Sequence, residues 1–245
     1  ALAGDDCQPP TIVVMKTRPG LNKMIFVMAT AIGVAACGAE DEKKADAGAA
    51  KDPKPVVEMK TSMGSFKVEL NREKSPITVD NFLKYVEKKH YDGTIFHRVM
   101  STFMIQGGGF EKGDPPTEKE TMEPIKNEAK SNGLKNTQYT IAMARTNAPD
   151  SATSQFFINV VDNSRSLDAG GVSPDGYAVF GKVIEGTDVV DKIKAVEIGT
   201  KRLNSRHRGQ IIPGPHQNVP VKHVVIESVR LVESKPAAEK KADAE

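Results

Sequence analysis

The sequence predicts a mainly β domain, an antiparallel sandwich or barrel with few helices, spanning Val56 to Glu233. Three observations carry this. Short runs with the period-two alternation of strands recur along the region. Turn residues punctuate them, beginning with Met63-Gly64 between Val56–Thr61 and Ser65–Leu70. Helical signals are confined to two stretches. Composition alone does not choose between sandwich and barrel.

The elements follow in order. Val56–Thr61 and Ser65–Leu70 read as a hairpin. Ser75 precedes Pro76, a cap followed by a residue whose fixed φ and missing N–H suit the first helical position. Val79, Phe82, Leu83 and Val86 then keep helical spacing to about His90. Asp92-Gly93 is a turn signal. Beyond it Ile95, His97 and Val99 alternate with Phe96 and Arg98, so Arg98 is expected to share a strand face with Phe96. Its neighbours on the next short strand would be Phe103 and Gln106, before Gly107-Gly108-Gly109. That sets a fixed cation and an amide against aromatic and sulfur-containing surface. An arginine whose stem lies along the strand with its head in water explains the pattern as well.

Glu111–Lys135, rich in Gly, Pro, Lys and Glu, reads as a long surface loop. Tyr139–Arg145, Ser154–Val160 and Tyr177–Ile184 read as strands, with Thr187 capping a short helix over Asp188–Lys194. Gly199–Pro220 has no acid, four Lys/Arg and Pro213-Gly214-Pro215, and reads as a basic loop. Val221–Val232 closes the domain as a strand.

Composition excludes several functions. A net charge of +2 over 245 residues gives no polyanion-binding signal, and no nucleic-acid partner is expected. Two cysteines, Cys7 and Cys37, cannot build a disulfide framework or a Cys-rich metal site. The five histidines lack metal-ligand spacing, and neither a metal nor a cofactor is expected. A hydrolase is disfavoured because there is no Gly-x-Ser-x-Gly and no Cys or His placed for a nucleophile pair. Gly107–Gly113 lacks the Gly-Lys-Ser/Thr ending of a phosphate-binding loop.

The N-terminal region reads as a targeting segment over 15–36, with Met15-Lys16-Thr17-Arg18 and Lys23 as its positive start. The uncharged run Met24–Ala36 is too short to span a membrane and suits a signal peptide. Val34-Ala35-Ala36-Cys37 resembles a bacterial lipobox, in which the cysteine is lipidated and becomes the mature N-terminus. An ordinary signal peptide with an incidental cysteine is the alternative. Residues 1–14 are then expected not to be native sequence. Gly38–Pro55 contains only Gly, Ala, Pro, Lys, Asp and Glu, so 37–55 reads as a lipidated cysteine and flexible tether, and 234–245 as a disordered tail. Gly38 stands where an Asp would favour inner-membrane retention in a Gram-negative lipoprotein. The expected location is therefore the cell envelope, anchored by lipid, leaning to the periplasmic face of the outer membrane.

Three blocks carry a family resemblance: Phe96-His97-Arg98-Val99, Phe103-Met104-Ile105-Gln106-Gly107-Gly108 and Ser154-Gln155-Phe156-Phe157-Ile158. With Ile141–Arg145 and Val179–Val183, they resemble the cyclophilins, peptidyl-prolyl cis-trans isomerases. The resemblance implies a closed eight-stranded antiparallel barrel capped by two α-helices, with the active groove outside on one face. It implies Arg98 as the catalytic residue, and a proline pocket of Phe103, Met104, Phe157 and Leu167. Gln106, Ala144, Arg145 and Gln155 would hold the peptide backbone, with His97 beside them and Tyr177 at a position where many members have histidine. Ser166 falls where eukaryotic members carry a tryptophan that contacts cyclosporin, so weak cyclosporin binding is expected. The implied partners are proline-containing peptides and unfolded envelope proteins, met by a monomer. The alternative is a non-catalytic module that holds Pro-containing segments. Retention of Arg98, Phe103, Gln106 and Phe157 together favours the enzyme.

Overall fold

A single sheet winds around the core, and a run of its strands nearly closes on itself. The computed structural model describes residues 52–207 and 209–232. The expected leader, signal segment, Cys37, nearly all of the tether, Arg208 and the tail lie outside them. In chain order the elements are β1 (Val56–Thr61), β2 (Gly64–Leu70), α1 (Pro76–Glu87), β3 (Thr94–Ile95), β4 (Arg98–Met100), β5 (Met104–Gly107), β6 (Phe110–Glu111), β7 (Thr117–Glu118), β8 (Thr140–Met143), β9 (Phe156–Asn159), α2 (Ser164–Leu167), β10 (Val179–Glu185), α3 (Thr187–Lys194), β11 (Ile198–His207), β12 (Gln210–Pro220) and β13 (Val225–Val232). The sheet has thirteen strands in the order β12-β11-β7-β6-β3-β13-β1-β2-β10-β8-β9-β5-β4. Because β3 and β4 are separated only by Phe96 and His97, the run from β3 to β4 nearly closes on itself. Counted as one interrupted strand, β3/β4 makes a ring of eight with β13, β1, β2, β10, β8, β9 and β5. The expected barrel is there; the extra strands β6, β7, β11 and β12 lie outside the ring.

Alternation fills the interior. Val57 and Met59 of β1, Phe66, Val68 and Leu70 of β2, Ile105 of β5 and Phe156 and Ile158 of β9 are fully buried in one cluster. Helix α1 lays Val79, Phe82 and Val86 on this cluster, and α3 adds Val189, Val190 and Ile193. Each such side chain contributes about 1.5–3 kcal/mol when taken out of water.

The caps differ from expectation. Ser75 sits at the N-cap of α1, but its hydroxyl donates 2.8 Å to the Val179 carbonyl. The free helix N–H groups of Ile77 and Thr78 are instead taken by the carboxylate of Glu128, at 3.1 and 2.8 Å. That carboxylate also accepts from the Thr78 hydroxyl at 2.6 Å. A helix start needs acceptors for its first N–H groups, and a side chain fifty residues downstream can supply them. The 111–135 stretch is therefore not only surface: Glu128 and Asn132 are buried and tie it to the barrel. At α3 the cap is Gly186, with φ 77°, and Thr187 is the first helical residue. A Cβ on Gly186 would come within 2.6 Å of the Ser65 carbonyl, so the tight turn favours glycine.

The largest correction is at 199–220, which is a long hairpin and not a loop. Strand β11 pairs with β12 from Ile198↔Pro220 to His207↔Gln210. It folds over the outside of the barrel, where Leu203 and Val219 bury against Ile95 and Phe110. Strand β12 ends the sheet order, and an edge position tolerates the missing N–H of Pro213, Pro215 and Pro220.

Candidate active site

The site grows from the break between β3 and β4. Phe96 points into the barrel core, but Arg98 does not share its face. Ile95 and His97 face outward under the hairpin, where the His97 ring lies tilted against Phe110, with centroids 4.6 Å apart. The break at 96–97 lets Arg98 face outward as well, and Val99 then resumes the interior. The expected Phe96–Arg98 pairing is thus overturned by an interruption that alternation could not reveal.

Arg98 lines a recess of about 100 Å³ together with Phe103, Met104, Gln106, Ala144, Arg145, Phe157, Leu167 and Tyr177. Strand β5 brings Gln106 opposite Arg98 and Met104 opposite Met100. Strand β9 brings Phe157 opposite Gln106. Met104, Phe157 and Leu167 belong to one outer apolar cluster, with Phe103, Ala144 and Tyr177 packed against it. The recess has an apolar floor with charged and amide groups at its margin, and room for one small ring.

A polar network supports the floor. The Asn163 amide donates to the Phe103 carbonyl and to Asn159 Oδ1, both at 2.7 Å. Asn159 donates to Asn136 at 3.2 Å and to the Thr140 hydroxyl at 3.0 Å. Asn136 donates in turn to Asp168, next to Leu167. These buried residues fix the segment carrying Phe103 and the one carrying Leu167. Sequence reasoning passed over them; the one signal was an Asn ending the apolar run Phe156–Ile158.

Two arginines reach the recess, and they differ. Arg145 has a partner on each of its three nitrogens: Nε donates to the Gly176 carbonyl at 2.9 Å, and its terminal nitrogens donate to the Thr146 carbonyl and Ser173 hydroxyl. Its guanidinium lies 4.4 Å over the Tyr177 ring, which meets Phe157 edge-on. Arg98 has no ion pair among the described residues. Its one polar contact there is a 3.3 Å approach to the Met100 sulfur, a weak acceptor.

Of the other expected site residues, Gln155 stands behind the recess, accepting from Gln106 Nε2 at 2.9 Å. His97 is 5 % exposed and lies outside the lining. Burial pushes its pKa down to about 3, helped by the fields of His216 and Arg98 and opposed by the Ile95 carbonyl and the Gln155 side chain. Its imidazole is therefore neutral at ordinary pH. Among the described residues no group of three or more His, Cys, Asp or Glu is placed to hold a metal ion. No helix among them is long and apolar enough to cross a membrane.

Comparison with known proteins agrees with this geometry. The family profile "Cyclophilin type peptidyl-prolyl cis-trans isomerase/CLD" matches residues 56–231. A peptidyl-prolyl cis-trans isomerase of Streptomyces antibioticus is 54% identical over 179 residues, which is 72% of this chain and 98% of the relative. Peptidyl-prolyl cis-trans isomerase B of Escherichia coli is 51% identical over 180 residues, covering 73% of this chain and all of the relative. A Cryptosporidium parvum cyclophilin solved in the presence of the dipeptide Ala-Pro superposes with a TM-score of 0.51 at 23% identity, over 73% of this chain and 99% of the other. The chain belongs to the cyclophilin-type peptidyl-prolyl cis-trans isomerases.

Proposed function

We propose that this chain accelerates rotation about X–Pro bonds in peptides and unfolded proteins, with Arg98 as the catalytic residue. The X–Pro bond resists rotation by about 18–20 kcal/mol and exchanges unaided in roughly tens to hundreds of seconds. In the twisted transition state amide resonance is lost, and the prolyl nitrogen acquires a usable lone pair. A donor aimed there binds the twisted state better than the planar one, which is the condition for catalysis. The observation that carries the reading is Arg98, a guanidinium without an acidic partner among the described residues, beside an apolar recess fit for a small ring. Arg145 borders the same recess but is held in place by a hydrogen bond from each of its three nitrogens. Phe103, Met104, Phe157 and Leu167 would hold the prolyl ring while the preceding carbonyl swings. Gln106, Ala144, Arg145 and Tyr177 would hold the peptide outside it, with Gln155 supporting Gln106 from behind. His97, neutral and buried, acts from behind. The names of the relatives, and a neighbour solved with Ala-Pro, support the same class of ligand.

The envelope setting belongs to this proposal. It rests on the order of basic start, short apolar run and Cys37 in the sequence. Mass spectrometry of the native protein is expected to find an acylated N-terminal Cys37; a mature chain beginning elsewhere and unmodified would end that part of the reading. The isomerase reading is tested by a proline-isomerisation assay on a short peptide. Wild type should accelerate exchange, and Arg98→Ala should lose roughly 10²–10³-fold while staying folded by circular dichroism. A folded Arg98→Ala chain with near-normal rates would assign catalysis to another residue.

A further inference from the structure

The hairpin outside the barrel reaches the recess through a chain of polar groups. Glu118 of β7 accepts from Gln155 Nε2 at 2.8 Å with one carboxylate oxygen. Its other oxygen accepts from the Arg206 backbone N–H of β11 at 2.7 Å. Gln155 then accepts from Gln106 Nε2 at 2.9 Å. Gln155 itself lies against Gly109, where an added Cβ would come within 2.6 Å of its side chain. Strand β11 holds β7 in place by a parallel bridge at Asn204↔Thr117 and by Asn204 N donating 2.9 Å to the Pro116 carbonyl.

A side-chain amide has one donor end and one acceptor end, whereas an ionised carboxylate only accepts. Glu118 therefore compels Gln155 to present its NH₂ group to the carboxylate and its oxygen to Gln106. Gln106 must in turn present its NH₂ group to Gln155. Its oxygen is left without a partner among the described residues, on a side chain that lines the recess. We propose that Glu118, locked by the β11 strand, is a positioning residue that sets the polarity of both glutamines, so that the Gln106 oxygen is offered in the recess as an acceptor for a backbone N–H of the peptide. This rests on the proposed function, because it names what that site recognises.

The test is Glu118→Gln, which preserves size. With its oxygen on the Arg206 N–H, the new amide turns its NH₂ group to Gln155. Both glutamines then reverse, and Gln106 turns its oxygen away from the recess, which loses the acceptor. The probes are a short X–Pro peptide and its ester analogues, in which each N–H-bearing amide on either side of the X–Pro bond is replaced in turn, the X–Pro amide itself being kept because it has no N–H. In wild type one ester should bind roughly threefold to tenfold more weakly, the worth of one hydrogen bond. In Glu118→Gln the amide peptide should weaken by a similar factor with turnover at saturation unchanged. The ester at that position should then bind no worse than the amide. An ester penalty equal to the wild-type one in Glu118→Gln overturns the proposal. A second readout needs no peptide: the ¹⁵N side-chain amide resonances of Gln106, which does not touch residue 118, should shift in the variant. If they do not move, the relay does not exist. If wild type binds no proline peptide while those resonances do shift, the functional reading fails and the relay stands.

Discussion

Phe156 and Phe157 are adjacent, identical in chemistry and buried on opposite sides of one strand. Phe156 faces inward and meets Phe82, Tyr91 and Phe96 edge-on, at centroid distances of 5.9, 5.5 and 6.2 Å. Phe157 faces outward and meets Tyr177 at the edge of the recess. The inner cluster is closed by α1 and α3, so its apolar surface is used up in holding the barrel together. The outer cluster leaves a ring-sized gap beside a guanidinium with no acidic partner among the described residues. The same residue type is structural on one side and available to a ligand on the other, according to what covers it.

That contrast yields predictions, beginning with the inner side. Phe156→Ala should cost about 3–5 kcal/mol of stability by removing a fully packed ring, with little change in turnover per folded molecule. Chemical denaturation with a parallel rate assay checks both; equal losses in rate and stability would blur the two faces. Acid should also act through structure. His97 and His90 have folded pKa values lowered to about 3 and about 4, chiefly by burial. Unfolded histidine binds its proton near pH 6.5, so below that pH the unfolded state holds more protons than the folded one. Stability is therefore full above about pH 6.5 and declines toward pH 3, on the order of a few kcal/mol. His97→Gln should flatten part of that slope in urea titrations at stepped pH. Turnover should stay level from about pH 5 to 8, since Arg98 remains charged and His97 neutral.

Smaller effects sharpen the contrast. Glu128→Ala removes the acceptors of the α1 N-terminus and should cost about 1–3 kcal/mol, without moving peptide affinity. Phe103→Ala opens the recess and should weaken peptide binding and rate together by about tenfold, roughly 1.4 kcal/mol, with the smallest effect on melting, since Phe103 is only half-buried. Calorimetric titration with the peptide separates these two variants.

How far this was legible follows from distance along the chain. The barrel strands were readable because alternation is a local signal, as at Phe66-Lys67-Val68. The recess residues were readable only through the family blocks that carry them. The hairpin was missed because Pro213-Gly214-Pro215 breaks the strand pattern, and those prolines are tolerated only at an edge. Glu128 and Glu118 fell in the stretch read as a surface loop, since their partners Thr78 and Arg206 lie fifty and eighty-eight residues away. The Arg98 face was misread because an interruption of two residues shifts alternation by one.

The central claim is that the fork of Arg98 acts on the twisted bond and not on binding. Exchange NMR on one X–Pro peptide gives affinity and rate from the same titration, and Arg98→Lys is the informative variant. A lysine keeps the charge but places it as a point on a flexible stem. The account predicts that Arg98→Lys binds the peptide within about threefold of wild type yet recovers little of the roughly 10²–10³-fold loss in exchange rate. A lysine variant that exchanges the peptide at near wild-type rate, or one whose rate loss is matched by lost affinity, would contradict it.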